Sequence, residues 1–165
     1  MIWQGIAVLA FVTLQRLAEL ALSQRNTKRL LARGGYEAAP GHYPFLVTLH
    51  ASWLAVLWFL GPGPPVELVP LVLFAILQLG RLWVIATLGD RWTTRIIVLP
   101  GAPLVKTGPY RWVDHPNYLI VIGEIAVLPL VFGLPMVAIL FSLLNGLLLW
   151  VRIRDENQAL ESLRR

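Results

Sequence analysis

Residues 117–150 read NYLIVIGEIAVLPLVFGLPMVAILFSLLNGLLLW, a run of 34 residues with one acidic side chain, Glu124, and no basic one. As a single α-helix at about 1.5 Å per residue it would be roughly 51 Å long. The hydrocarbon core of a bilayer is only about 30 Å thick. The run must therefore fold back, and Gly133-Leu134-Pro135 is its turn signal. Two short helical arms follow, each near the low end for a span, which implies tilt or local bilayer thinning.

The rest of the chain repeats the pattern of apolar run and turn. Of its 165 residues 57% are hydrophobic and 14% charged, where a soluble domain carries roughly 45–50% and about 25%. Met1 to Leu22, Tyr43 to Leu60 and Val66 to Leu88 are three further candidate spans. Gly61-Pro62-Gly63-Pro64-Pro65 separates the second from the third. The first run is too long for a signal peptide, with no basic region before it and no small-residue cleavage site after it. Between the third span and the hairpin, Asp90 to Pro116 is rich in Gly, Pro and basic residues and reads as a long irregular loop. There are no cysteines, which excludes disulfides, thiolate metal sites, thiol nucleophiles and iron–sulfur clusters.

The formal charge of +5 is ordered along the chain. Basic residues sit in a loop from Ser23 to His42 (Arg25, Lys28, Arg29, Arg33), in the long loop (Arg91, Arg95, Lys106, Arg111) and in the tail after Trp150 (Arg152, Arg154, Arg164, Arg165). The turns at 61–65 and 133–135 carry none. The positive-inside rule then predicts five transmembrane helices, N-terminus outside and C-terminus cytoplasmic. The fold class is all-α integral membrane, in one domain spanning residues 1–165, with a ligand-binding part at about 90–165.

Ionisable residues at membrane depth need a partner or a role. Arg16 and Glu19, three apart on one helix, are spaced to pair. Gln78 and Arg81 share a face of the third span, and Arg81 lies near enough to its end to snorkel. His50 reads either as a satisfied buried histidine or as a site residue. Glu124 follows Asn117 by seven residues and shares its face. Asn145, Arg152 and Glu156, spaced seven and four, draw one polar stripe along the last helix. That stripe is either a solvated face or the lining of a site at the membrane surface.

The sequence Gly108-Pro109-Tyr110-Arg111-Trp112-Val113-Asp114-His115-Pro116-Asn117-Tyr118 is the most informative stretch of the loop. An interfacial aromatic belt would explain its Trp and Tyr, but not the His-Pro-Asn-Tyr run. Pro near the first helical turn opens a helix whose free N–H groups suit a polar ligand. No phosphate loop, GxGxxG or HExxH occurs, so a cofactor would bind in the loop, the tail and the helix ends.

Taken together, Gly108-Pro109-Tyr110, His115-Pro116-Asn117-Tyr118 and Arg152-Ile153-Arg154-Asp155-Glu156 resemble the isoprenylcysteine carboxyl methyltransferase family over roughly residues 80–160. The first half, with Arg16, Glu19, Asn26, Arg29, Gly41-His42-Tyr43-Pro44 and Leu49-His50, is similar to a small bacterial branch, as is Arg91-Trp92-Thr93-Thr94-Arg95. That branch is associated with O-methylation of polyketide lipids such as alkylpyrones and alkylresorcinols. The resemblance implies an S-adenosylmethionine-dependent methyltransferase in a bacterial inner membrane, its site facing the cytoplasm. Pro103, Leu104, Val105, Tyr110, His115, Pro116, Asn117, Tyr118 and Glu156 match cofactor-binding positions. Arg152, with Glu156, matches the catalytic pair, and Arg152 also matches a substrate position. His50, Glu124 and Asn145 are further acceptor-site candidates. Asp114 stands where the family usually has Arg or Lys, and Asn157 where a second Glu is common.

These matches lead to the expectation of an O-methyltransferase acting on a lipophilic, membrane-dissolved acceptor, either a carboxylate or a phenol or enol oxygen. No metal and no nucleic-acid partner are expected. Three alternatives stay open: a phospholipid N-methyltransferase, an NADPH-dependent membrane reductase of the sterol type, and a non-enzymatic membrane scaffold.

Overall fold

The computed structural model describes residues 2–164. Met1, at the head of the first expected span, and Arg165, the last basic residue of the tail, lie outside the described residues, as do the side chains of residues 162–164. Five helices dominate: α1 (Ile2–Ala32), α2 (Tyr43–Leu60), α3 (Leu68–Leu88), α4 (Pro116–Val131) and α5 (Pro135–Arg164). Four of them are long and apolar enough to cross a membrane, and α4 is a shorter apolar helix. The protein is an all-α membrane protein.

The fold-back at 133–135 forms as the sequence predicts. Gly133 takes φ +66°, donates its N–H to Leu130 (3.0 Å), and lets Leu134 N–H reach back to Pro129 (3.0 Å). This pair of bonds is the Schellman arrangement, which satisfies the last carbonyls of α4. The two arms differ in length, however. Sixteen residues make α4 about 24 Å long, while the thirty of α5 reach about 45 Å and run to Arg164 instead of stopping near Trp150. Only the first arm is short.

Likewise α1 does not end at Leu22, and residues 23–32 are helix rather than loop. Ser23, Asn26 and Leu30 on this extension are buried. Asn26 Nδ2 donates to the carbonyls of Gly89 (3.1 Å) and Trp92 (2.8 Å), and Ser23 Oγ bonds Thr94 Oγ1 (2.8 Å). Hydropathy detects the lipid-facing part of a helix, whereas this extension packs on a polar loop. The loop itself is structured by a two-residue antiparallel ladder between β1 (Tyr36–Glu37) and β2 (Ile97–Val98), pairing Tyr36 with Val98 and Glu37 with Ile97. Arg95 ties it further, donating to Glu37 (2.8 Å) and stacking over the Tyr43 ring at 4.3 Å.

The apolar core joins Leu9 and Val12 of α1, Trp53 and Leu57 of α2, Phe74 of α3, and Ile125, Leu128 and Phe132 at α4 and its end. Helices α3 and α4 approach closely at Gly123, where an added Cβ would stand 2.8 Å from Leu77 Cδ2. Small residues at helix contacts are the usual device of membrane bundles, because lipid gives no hydrophobic drive to pack.

At the same depth lies a neutral cluster of two arginines and two glutamates. Arg16 does pair with Glu19 (2.8 Å), and it also reaches Glu124 (2.8 Å). Arg81 turns inward rather than snorkelling: it is 3% exposed and bonds Glu124 through Nε (2.7 Å) and Nη2, and Glu19 through Nη1 (3.2 Å). Gln78 adds a bond to Glu124 (2.8 Å), and Gln15 bridges Gln78 (2.6 Å) and Glu19 (2.9 Å). Charges at this depth are tolerated only when matched, and the cluster binds α1, α3 and α4 together.

Candidate functional site

Helix α4 starts at Pro116, whose fixed φ and missing N–H suit the first helical turn. One turn in, Tyr118 is buried against α5. Its hydroxyl donates to the Glu156 carboxylate and accepts from Arg152 Nε (2.8 Å). The His115 ring stacks on Tyr118 with centroids 5.3 Å apart, and its Nδ1 lies 3.6 Å from Glu156 Oε2. Its Nε2 lies 3.3 Å from Asn157 Oδ1.

Arg152 is 7% exposed, and its Nη1 donates to His42 Nε2 at 3.4 Å. A guanidinium has no acceptor, so the bond leaves the His42 proton on Nδ1, which faces Asp155 Oδ2 at 3.4 Å. Of the polar stripe on α5, Arg152 and Glu156 line the site, with Arg152 held between α4 and the start of α2, while Asn145 lies deeper in the bundle. Tyr110, in the Gly108–Arg111 turn, stays a neutral phenol, because burial first and the Glu156 charge second push its pKa above the ordinary range.

Two cavities meet at these residues. The larger, about 850 Å³, lies under the long loop. Pro103, Leu104, Val105, Tyr110, His115, Asn117, Tyr118, Arg152 and Glu156 all line it. Pro116 is buried in the helix start and does not. The smaller cavity, about 290 Å³, lies between α1 and α2 and is walled by Tyr43, His50, Trp53 and Arg16. Leu17 and Val47, which also line it, are exposed on the outside of the bundle. Trp92, Thr93, Asn117, Tyr118 and Arg152 belong to both cavities. Trp92 Nε1 and Asn117 Oδ1 are buried at this junction without hydrogen-bond partners.

Glu124 and Asn145 line neither cavity. Glu124 is held in the charge cluster, and Asn145 is 1% exposed. His50 donates Nδ1–H to the Leu46 carbonyl (2.8 Å) and faces the smaller cavity about two helical turns from His42. Asp114 lines the larger cavity, as Arg91, Arg95 and Lys106 do. His42 and Asp155 were not singled out from sequence as site residues. Their only sequence signal is their place in Gly41-His42-Tyr43-Pro44 and Arg152-Ile153-Arg154-Asp155-Glu156, since the start of α2 and α5 meet through tertiary packing. Among the described residues no three His, Cys, Asp or Glu side chains are grouped to hold a metal.

Comparison with known proteins bears on this arrangement. Residues 68–162 match the family model of the isoprenylcysteine carboxyl methyltransferase (ICMT) family. The chain belongs to that family. It is also 37% identical over 174 residues to the uncharacterized protein YpbQ of Bacillus subtilis strain 168, covering 98% of this chain and 97% of that one. An uncharacterized protein of Haemophilus influenzae is 26% identical over 156 residues, covering 90% of each. No solved structure matches the chain. The matched region holds α3, the long loop, α4 and most of α5, and so every residue of the Tyr118–Arg152–Glu156 cluster. This is a methyltransferase family of the membrane, with relatives in bacteria.

Proposed function

We propose that the protein transfers a methyl group from S-adenosylmethionine to an oxygen of a lipophilic acceptor dissolved in the membrane. The observation that carries this reading is the meeting of the two cavities at Arg152, Tyr118 and Asn117. One cavity has the ionic and polar lining a water-soluble donor needs. The other opens between α1 and α2 beside lipid-facing side chains, as a greasy acceptor needs.

The larger cavity fits the cofactor on this chain's own residues. Its volume of about 850 Å³ falls within the usual range for ligand sites, roughly 300–1,000 Å³. Pro103, Leu104 and Val105 give it an apolar wall, Glu156 a carboxylate for the donor's cationic groups, and Asn117 an unused buried carbonyl oxygen. When bound, S-adenosylmethionine supplies a methyl group on a sulfonium for in-line displacement. The protein's task is to align two reactants and exclude water. Arg152, fixed by Tyr118 and His42, orients the acceptor oxygen and stabilises its negative charge. The positive-inside pattern supports a cytoplasmic face for the loop and tail, and bacterial relatives support the cytoplasmic membrane of a bacterium.

The test is calorimetric titration of purified protein with S-adenosylhomocysteine and, separately, with NADPH. Binding of the first and not the second is expected. NADPH binding without S-adenosylhomocysteine binding would replace methyl transfer with the reductase reading. Methyl transfer from labelled cofactor into a total lipid extract, with mass identification of the product, then names the acceptor.

A further inference from the structure

We propose that Tyr118 is a catalytic proton relay, carrying the acceptor's proton out of the reaction junction through Glu156 and His115. The inference rests on the methyl-transfer reading and adds the fate of the proton to it. Tyr118 lines both cavities, so its hydroxyl stands where donor and acceptor meet. It is already polarised in one direction. Arg152 Nε donates to its oxygen at 2.8 Å, and its own proton is committed to Glu156. A phenolic oxygen both donates and accepts, and it can accept an acceptor's O–H on one side while releasing its own proton on the other.

The next carrier is His115. Its Nε2 is within hydrogen-bond distance of Asn157 Oδ1, a carbonyl oxygen that only accepts, so the neutral ring carries its proton on Nε2. Nδ1 is then a free lone pair, 3.6 Å from Glu156 Oε2, about half an ångström beyond an ordinary hydrogen bond. With the amide oxygen of Asn157 taking Nε2–H, the Nδ1 lone pair faces Glu156. His115 is partly exposed, so the path ends at water.

The step balances. The acceptor's O–H bond breaks as its O–CH3 bond forms, and the donor's S–CH3 electron pair stays on sulfur. The acceptor proton goes to Tyr118 oxygen, and the Tyr118 proton to Glu156. From Glu156 a proton passes to His115 Nδ1, and the ring sheds its Nε2 proton to solvent. One proton leaves per methyl group, Tyr118 and Glu156 end as they began, and the partly exposed His115 ring returns to its Nε2–H form by giving its Nδ1 proton to water and regaining one at Nε2. An acceptor already ionised does not need the relay.

Tyr118→Phe keeps the ring that stacks on His115 and removes only the hydroxyl. It should be compared with wild type on two phenols bearing the same alkyl tail. One is a simple phenol, protonated at the assay pH, and the other a nitrophenol that is ionised. The loss on the protonated phenol should exceed the loss on the ionised one by on the order of 100-fold. S-adenosylhomocysteine affinity, read by calorimetry, should fall far less than the rate on the protonated phenol. Raising the pH toward the simple phenol's own pKa, about 10, should restore the variant's rate. Equal losses on both phenols, or a loss of affinity large enough to explain the rate, would show that Tyr118 only holds ligand. Wild-type protein that labels only the nitrophenol overturns the relay and leaves methyl transfer standing. Wild-type protein that neither binds S-adenosylhomocysteine nor labels either phenol overturns both.

Discussion

Glu124 is the residue on which a site role and a structural role give opposite results, and Glu124→Gln separates them. The side chain is 2% exposed and accepts four bonds, from Arg81 Nε and Nη2, Arg16 Nη2 and Gln78 Nε2. Substitution leaves the cluster with Arg16 and Arg81 against Glu19 alone, a net charge of +1 inside the bundle. Two magnitudes compete. Hydrogen bonds between membrane helices average about 0.6 kcal/mol, so four neutral bonds would amount to about 2.4 kcal/mol. Leaving a buried charge without its partner costs about 3–5 kcal/mol. Arg81 is 3% exposed, so the larger figure governs. At roughly 2–4 °C per kcal/mol for a chain of this size, the melting temperature should fall by about 6–20 °C. The chain's seven tryptophans report unfolding in detergent directly. The double variant Arg81→Leu with Glu124→Leu removes both charges, leaves the Arg16–Glu19 pair, and should recover most of the loss. A fall below about 2 °C in the single variant, or a double variant worse than the single, would refute the argument. Reduced acceptor turnover at unchanged melting temperature would return Glu124 to the site.

Three further outcomes follow from the same structure. Glu156→Ala should weaken S-adenosylhomocysteine binding on the order of 10–100-fold, since a hydrogen bond to a charged group contributes about 1.5–3 kcal/mol; calorimetry reads it, with melting temperature as the folding control. Gly123→Leu puts a side chain where Leu77 Cδ2 would be 2.8 Å from its Cβ, and the overpacking should cost about 1–3 kcal/mol in denaturant or thermal unfolding. Tyr110 should be missing from the phenolate absorbance step near pH 10, so Tyr110→Phe leaves that step unchanged. Because its folded-state pKa is raised, its contribution to stability is present below about pH 10 and is lost as the pH climbs toward the folded value.

Much of the site was legible because its motifs are local. Tyr110, His115 and Tyr118 fall within nine residues of one another, and Arg152 and Glu156 one turn apart on a single helix. Local spacing fixes a shared helical face whatever the rest of the chain does. His42 was harder to see, because it reaches Arg152 across 110 positions and its motif is otherwise a helix start. Glu124 illustrates the opposite case. Its position on the face of Asn117 suggested a site, but Gln78 and Arg81 of α3 and Arg16 of α1 occupy it.

By itself the sequence determined the bundle's existence and its turns. Apolar runs of limited length must be helices in lipid, where every backbone group needs an internal partner, and Gly133 and Pro135 mark where the last run reverses. Only the tertiary structure decided what each polar group in those helices is for. Arg16 and Glu19 read as a self-contained pair, yet they close onto Arg81 and Glu124. Residues 23–32 read as loop, yet they are helix because Asn26 and Ser23 bind the loop beyond α3. The reason is common to both. Hydropathy measures contact with lipid, whereas a buried polar group is settled by whichever distant partner the packing brings within about 3 Å.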